Sequence, residues 1–232
     1  LRDSLVSDGR FFSAMFTDPA KAPEFIPKPK EFMDNVFLAG SISPNTLAHP
    51  DIFSHFTTDE LIGLGISRNN KLYFSFGISA EEGEYVSSIA KQLIEDIVAK
   101  ADEAGKPESG RAADLRFGHD VGLLPLIGTI GIAGMEERWK SLDVHRHWFD
   151  FEMMPMASNL QMIFFRNRKG DVLVKLVYND KETYIPAVQT YNGVFHKWND
   201  LREYLVKTAA AISDEHIVKD NDGKERTGVA GM

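Results

Sequence analysis

The 232-residue sequence lacks cysteine, long apolar runs and an excess of basic residues. Without cysteine it has no disulfides, thiolate nucleophiles or zinc–thiolate sites. No apolar run approaches the roughly 20 residues that a transmembrane helix needs, so we expect no membrane span. The 34 Asp and Glu residues outnumber the 26 Lys and Arg residues, and the net charge is −8. A surface of this sign repels phosphate backbones, and we therefore expect no nucleic-acid partner.

The rest of the composition is typical of a globular protein. Hydrophobic residues make up 43% of the chain, and 16 Phe residues indicate a well-filled core. The chain begins at Leu1 rather than Met, so we expect that a segment precedes it in the native protein.

Helical patterns dominate the first 110 residues and predict a mainly helical region. Pro29 is suited to the first turn of a helix that runs to about Gly40. Residues 57–60 form a capping box, which predicts a short helix that ends near Gly65. The strongest helical pattern covers residues 82–104, where apolar side chains recur at 3.6-residue spacing.

The pattern changes to α/β after residues 105–110, which have the composition of a linker. Residues 113–118 predict a short buried strand, and residues 123–130 predict a helix packed against it. Leu160–Arg166 and Val172–Tyr178 are rich in β-forming residues, and the turn sequence between them predicts a hairpin.

A final helix is predicted after Asn199, which is a suitable cap, and the chain is polar from Asp214 onward. The resulting domain prediction is a mainly helical cap region at 1–110, an α/β core at 111–213 and a disordered polar tail at 214–232.

The most informative motif is the His119-Asp120 pair, which lies where the predicted strand runs directly into a helix. Such a junction directs backbone N–H groups and the positive end of a helix dipole at a ligand. An imidazole donates hydrogen bonds to phosphate oxygens, and a carboxylic acid protonates a leaving alkoxide. The same residues also allow a purely structural interpretation. In it, Asp120 serves only as the N-cap of the helix, and His119 is a buried polar group with satisfied hydrogen bonds.

Arg116-Phe117-Gly118-His119-Asp120, followed by Leu123-Leu124-Pro125-Leu126, resembles the His-Asp motif of branch-2 histidine phosphatases. This family contains the histidine acid phosphatases and phytases. The resemblance continues through residues 154–160, the hairpin and residues 198–201, and it covers most of 15–212. Residues 51–69 and 82–104 look like the helical cap of the multiple inositol polyphosphate phosphatase-like members. The fold implied is the C-terminal part of a histidine-phosphatase-type α/β sheet domain with a mainly helical cap.

The resemblance also implies hydrolysis of a small phosphomonoester through a phosphohistidine, with no cofactor or metal. By position, His119 binds phosphate and Asp120 is the general acid. Inositol phosphates are one candidate substrate, although those family members often have His-Ala-Glu in place of His-Asp. The family implies a periplasmic or secreted location.

The nucleophile of this family lies in an Arg-His-Gly motif, and none of the seven histidines here is followed by Gly. We therefore expect this chain alone to be inactive. We also expect it to pair with its missing N-terminal segment or with another copy of the chain. The alternative function is a non-catalytic phosphate-binding or interaction domain that retains the fold.

Other charged residues are weaker candidates for the site. Arg68 and Lys71 either contact substrate phosphates from the cap or are solvated charges. Arg116 either reaches the site or pairs with Asp114. The His145-Arg146-His147 pattern lacks further ligands at a suitable spacing, so we expect a loop role rather than a metal site.

Overall fold

The computed structural model describes residues 2–106, 108–140, 142–214, 217–219 and 225–227, and the fold is mixed α/β. Contacts divide the chain into a first unit at 1–71 and a second at 72–232. This division lies well before the predicted boundary at residue 110. The helices are α1 (Arg2–Leu5), α2 (Asp8–Met15), α3 (Ala22–Phe25), α4 (Pro29–Ile42), α5 (Thr58–Phe76), α6 (Gly83–Ala104), α7 (Asp120–Thr129), α8 (Asp150–Met153) and α9 (Trp198–Ala211).

The first unit is built around aromatic side chains from several short helices. Phe11 and Phe56 are buried with ring centroids 4.7 Å apart, and Met33 of α4 fills the space beside them. The helix predicted from Pro29 is confirmed, and it ends at Ile42.

The predicted capping box is confirmed at the start of α5. The amide of Thr57 donates to Glu60 Oε2 at 2.9 Å, and the amide of Glu60 donates to Thr57 Oγ1 at 3.3 Å. Arg10 Nε donates to Glu60 Oε1 at 2.8 Å, while the Glu60 side chain is only 1% exposed. Burial raises the pKa of Glu60, but the hydrogen bonds and charge of Arg10 and the Thr57 bonds outweigh it and keep the pKa below its usual value.

The predicted end of α5 near Gly65 is wrong, because the helix continues to Phe76. Glycine lowers helix propensity by only about 1 kcal/mol, which tertiary packing overrides. Beyond Gly65 the packing buries Asn69 and Tyr73. Gly63 permits a second close contact, because a Cβ there would lie 3.0 Å from Leu5 Cβ and 3.1 Å from Val6 Cγ2. The short N-terminal helix therefore packs closely against α5.

In the second unit α6 packs against α7 and α9. Its predicted bounds are confirmed to within one residue, and Val86, Ala90 and Ile94 are buried on its core face. The N-terminal end of α9 is attached to α6 through Asp102, which accepts from Arg202 Nε at 2.8 and 2.9 Å and from Trp198 Nε1 at 3.3 Å.

Asn199 is not the cap of α9, contrary to the prediction. The helix begins at Trp198, and Lys197 occupies the N-cap position without a side-chain hydrogen bond. Trp198 is buried, and its packing moves the start of the helix two residues ahead of the start that a cap at Asn199 would give.

A four-stranded antiparallel sheet lies beside these helices. It consists of β1 (Leu160–Arg166), β2 (Val172–Tyr178), β3 (Lys181–Thr183) and β4 (Phe195–Lys197), and β2 pairs with each of the other three. The predicted β1–β2 hairpin is confirmed with the predicted bounds. Asn167 Oδ1 closes its loop by accepting from the amides of Lys169 at 2.8 Å and Asp171 at 2.9 Å.

The predicted disordered tail, 214–232, lies largely outside the described residues. Within it, β5 (Ile217–Lys219) and β6 (Glu225–Thr227) pair antiparallel. Among the helices of the described residues, none combines the length and the apolar character needed to cross a membrane.

His196 of β4 is buried, and its ring contacts two parts of the loop that precedes β4. Its Nε2 accepts from the amide of Ile185 at 3.1 Å, and its Nδ1 lies 3.1 Å from the carbonyl oxygen of Gln189. These partners fit a neutral ring with the proton on Nδ1. Burial lowers the pKa of His196, although the bond to Gln189 acts in the opposite direction.

Arg10→Ala tests the buried ion pair of the first unit. Removal of the guanidinium leaves a buried carboxylate without its partner, so we expect the free energy of unfolding to fall by about 3 kcal/mol. Urea denaturation followed by circular dichroism measures the change. Asp18→Ala is the control: it breaks an exposed pair with Lys21 and costs less than about 1 kcal/mol. Equal losses in the two variants would contradict a structural role for the pair.

The lowered pKa of His196 predicts loss of stability in acid. The unfolded chain binds a proton at the ordinary histidine pKa of about 6.5, whereas the folded chain binds it only at lower pH. Between those values the unfolded state holds more protons, so the free energy of unfolding falls by up to about 1.4 kcal/mol per pH unit on acidification. His196→Gln removes this component, and His119→Gln, at an exposed histidine, retains it. An unchanged pH dependence in His196→Gln would exclude His196 as the source.

Candidate functional site

The His-Asp pair lies at the start of α7, as the sequence predicts. His119 is the N-cap residue with extended backbone, φ −114° and ψ 167°. Its carbonyl oxygen accepts from the amides of Gly122 at 3.0 Å and Leu123 at 3.2 Å. The imidazole does not take part in these bonds and is exposed, so the alternative of a buried, satisfied histidine is wrong.

Asp120 is the first residue of α7 rather than its N-cap. Its Oδ1 accepts from the amide of Val121 at 2.9 Å, and the carboxylate is exposed to solvent. The rest of α7 is anchored in the core, with Leu124 and Ile127 fully buried. A buried helix therefore presents an imidazole and a carboxylate at its positive end, where anions are stabilised.

The strand predicted at 113–118 is wrong for the chain as described. These residues form no strand, and all of them are exposed, including Leu115 at 77% and Phe117 at 93%. A strand exists only where a neighbouring strand supplies hydrogen-bond partners, and no described strand lies beside this segment. The sheet edge that was predicted to carry His119 and Asp120 is therefore absent from the described structure.

Arg116 pairs with carboxylates, as one of the two sequence alternatives proposed. Its Nη1 lies 2.7 Å from Asp96 Oδ2 on α6, and its Nε donates to Asp114 Oδ1 at 3.1 Å. Arg111 also forms two ion pairs: its Nη1 lies 2.7 Å from Asp114 Oδ2, and its Nη2 lies 3.5 Å from Glu103 Oε2. The two arginines hold the segment alongside α6 and leave Arg116 engaged by two acids.

Arg68 and Lys71 lie within α5 and are exposed. They belong to the first unit, whereas His119 and Asp120 belong to the second. Their proposed contact with substrate therefore remains a prediction.

The His145-Arg146-His147 pattern has a packing contact. The ring of His147 stacks on Trp139 with centroids 3.9 Å apart and an angle of 9° between the planes. In the described part of the chain, no three His, Cys, Asp or Glu side chains come together as metal ligands.

A cavity in the second unit was not foreseen from the sequence. It has a volume of about 190 Å³, and its polar lining comes from Ser87, Thr129, Glu136, Arg138 and Tyr204. Some donors are already used, since Ser87 Oγ donates to the carbonyl of Gly83 at 2.7 Å and the Tyr204 hydroxyl donates to that of Ile130 at 3.2 Å. The sequence feature that marks this region is a pair of glycines in the loop beside the cavity, Gly131 and Gly134, and both have positive φ in the structure.

No protein-family model matches this chain, and comparison with curated proteins finds no match. The resemblance to histidine phosphatases therefore depends on the sequence motifs at residues 116–126, 154–160 and 198–201.

Proposed function

We propose that this chain is part of a phosphomonoester hydrolase of the histidine acid phosphatase type. The observation that carries the proposal is the exposure of both His119 and Asp120 at the N-terminal end of a buried helix. A phosphate there receives a hydrogen bond from the imidazole and the favourable end of the helix dipole. Asp120 is adjacent and supplies a proton to the leaving group.

The proposed reaction needs a longer protein that also contains the nucleophile motif. A histidine nitrogen attacks phosphorus, the bond to the leaving oxygen breaks, and Asp120 transfers its proton to that oxygen. Water then attacks the phosphohistidine and returns a proton to Asp120, while the P–N bond breaks and phosphate leaves. Two displacements replace one difficult attack by water.

The proposed substrate is a small phosphate ester, with inositol phosphates as one candidate. Several phosphates on one ring require several cations. Arg68, Lys71 and Arg116 are the candidates for that role. Arg116 would have to exchange Asp96 and Asp114 for a substrate phosphate, because those carboxylates occupy its Nη1 and Nε.

The same ion pairs favour the alternative function, a non-catalytic domain that binds phosphate weakly or serves as an interaction module. An arginine held by two acids stabilises a phosphoryl group poorly.

The chain of 232 residues should not hydrolyse p-nitrophenyl phosphate. His119 and Asp120 bind phosphate and donate a proton, but neither attacks phosphorus, and loss of a nucleophile costs several orders of magnitude in rate. Release of nitrophenolate measures the reaction, with His119→Ala as the control for contaminating phosphatase. Hydrolysis at ordinary phosphatase rates that is lost in His119→Ala would contradict the assigned roles.

In a longer protein with the nucleophile motif, Asp120→Asn should slow alkyl phosphates far more than p-nitrophenyl phosphate. An alkoxide needs a proton as it leaves, whereas nitrophenolate departs largely unaided. The comparison is made on kcat/KM. Asp150→Asn is a matched control, because Asp150 also begins a helix and accepts from the next amide at 2.9 Å. Equal slowing of both esters would remove Asp120 from the acid role, and a longer protein without any phosphatase activity would favour the non-catalytic alternative.

A further inference from the structure

Residues 112–118 have two chemically different faces. Asp114 and Arg116 make ion pairs beside α6. Leu115, which lies between them, and Phe117, which follows them, are exposed to solvent. This alternation has the two-residue period of an extended strand. The exposed apolar side chains cover nothing in the described part of the molecule.

The backbone of the segment is equally without partners. No amide or carbonyl of residues 112–118 makes a hydrogen bond to another described residue. Seven consecutive residues thus offer donors and acceptors along a line, next to large apolar side chains. A segment of this kind recruits another strand by backbone pairing.

We propose that residues 112–118 of two copies of this chain pair as antiparallel strands centred on Leu115. In this register Leu115 lies opposite its own counterpart, Asp114 opposite Arg116, Ala113 opposite Phe117 and Ala112 opposite Gly118. The proposal concerns the chain of 232 residues and does not depend on the catalytic roles of His119 and Asp120.

The charge pattern selects a second copy and this register. Asp114 and Arg116 flank Leu115, so a two-fold axis through Leu115 sets an acid opposite a base at two places. Within each copy these side chains also pair with Arg111 and Asp96, which keeps that face of the strand toward α6. Opposite charges directly across an antiparallel pair stabilise it, and like charges destabilise it. A parallel pair in register would set Asp114 against Asp114 and Arg116 against Arg116.

The steric pattern agrees with the charges. Phe117, the largest side chain, lies opposite the small Ala113 and diagonal to Leu115 of the other copy, within reach of an aromatic ring. The pairing forms on the order of six backbone hydrogen bonds. The interface is isologous and therefore closes at two copies.

Single cysteine substitutions test the register, since the chain contains no cysteine of its own. Across the proposed axis the two Cα atoms of residue 115 are about 5 Å apart, which lies within the range of disulfides. Residues 117 of the two copies are about 14 Å apart along the strands. Under mild oxidation Leu115→Cys should form disulfide-linked dimer at least about ten times faster than Phe117→Cys, although Phe117 is the more exposed residue. A mixture of Ala113→Cys and Phe117→Cys chains should cross-link to each other.

Charge reversals test the complementarity. Asp114→Arg and Arg116→Asp each place like charges opposite one another and should abolish the dimer in sedimentation. Each also breaks ion pairs within its own chain, so the discriminating result is an equal mixture of the two variants, which should restore the dimer. Glu203→Lys and Lys207→Glu change the net charge by the same amounts at an exposed pair on α9 and should leave the dimer intact. Circular dichroism checks that every variant is folded.

Four results would overturn the proposal. The first is a monomer over a wide concentration range. The second is equal cross-linking at positions 115 and 117. The third is a dimer that survives both charge reversals. The fourth is a longer chain that is monomeric with residues 112–118 protected from hydrogen exchange, because its own upstream segment then occupies the site.

Discussion

The second unit depends on the pairing of both edges of β2. One edge carries β1 along its whole length, and the other carries β3 and β4 end to end. With its backbone satisfied on both sides, β2 buries Val174 and Leu176 completely, and α9 packs against it. The turn that joins β2 to β3 consists of Asn179 and Asp180, both with positive φ, which is the conformation that matches the twist of a two-residue hairpin.

Elements whose determinants lie close together in sequence could be predicted. The β1–β2 hairpin is specified by two β-rich runs and by Asn167, whose side chain closes the loop. The start of α5 is specified by Thr57 and Glu60, which bond to each other across three residues. The position of His119 and Asp120 at the start of α7 follows in the same way, from a polar pair placed before an apolar run.

Features that need a distant partner could not be predicted. Residues 113–118 have the composition of a buried strand, but composition does not supply the neighbouring strand. The continuation of α5 beyond Gly65 depends on burial of Asn69 and Tyr73, which a local pattern does not contain. The pairing of Arg116 with Asp96 likewise depends on the course of the chain beside α6.

The attachment of α9 to α6 has a consequence for the order of folding. Asp102 and Arg202 are 100 residues apart in sequence, and Lys91 Nζ reaches the carbonyl of Ile212 across 121 residues. At a synthesis rate of about 5–20 residues per second, the ribosome needs several seconds to produce α9 after α6. During that interval the face of α6 that α9 covers is open to water and to chaperones. The second unit therefore completes its core late in translation, and non-local contacts of this kind slow refolding in vitro as well.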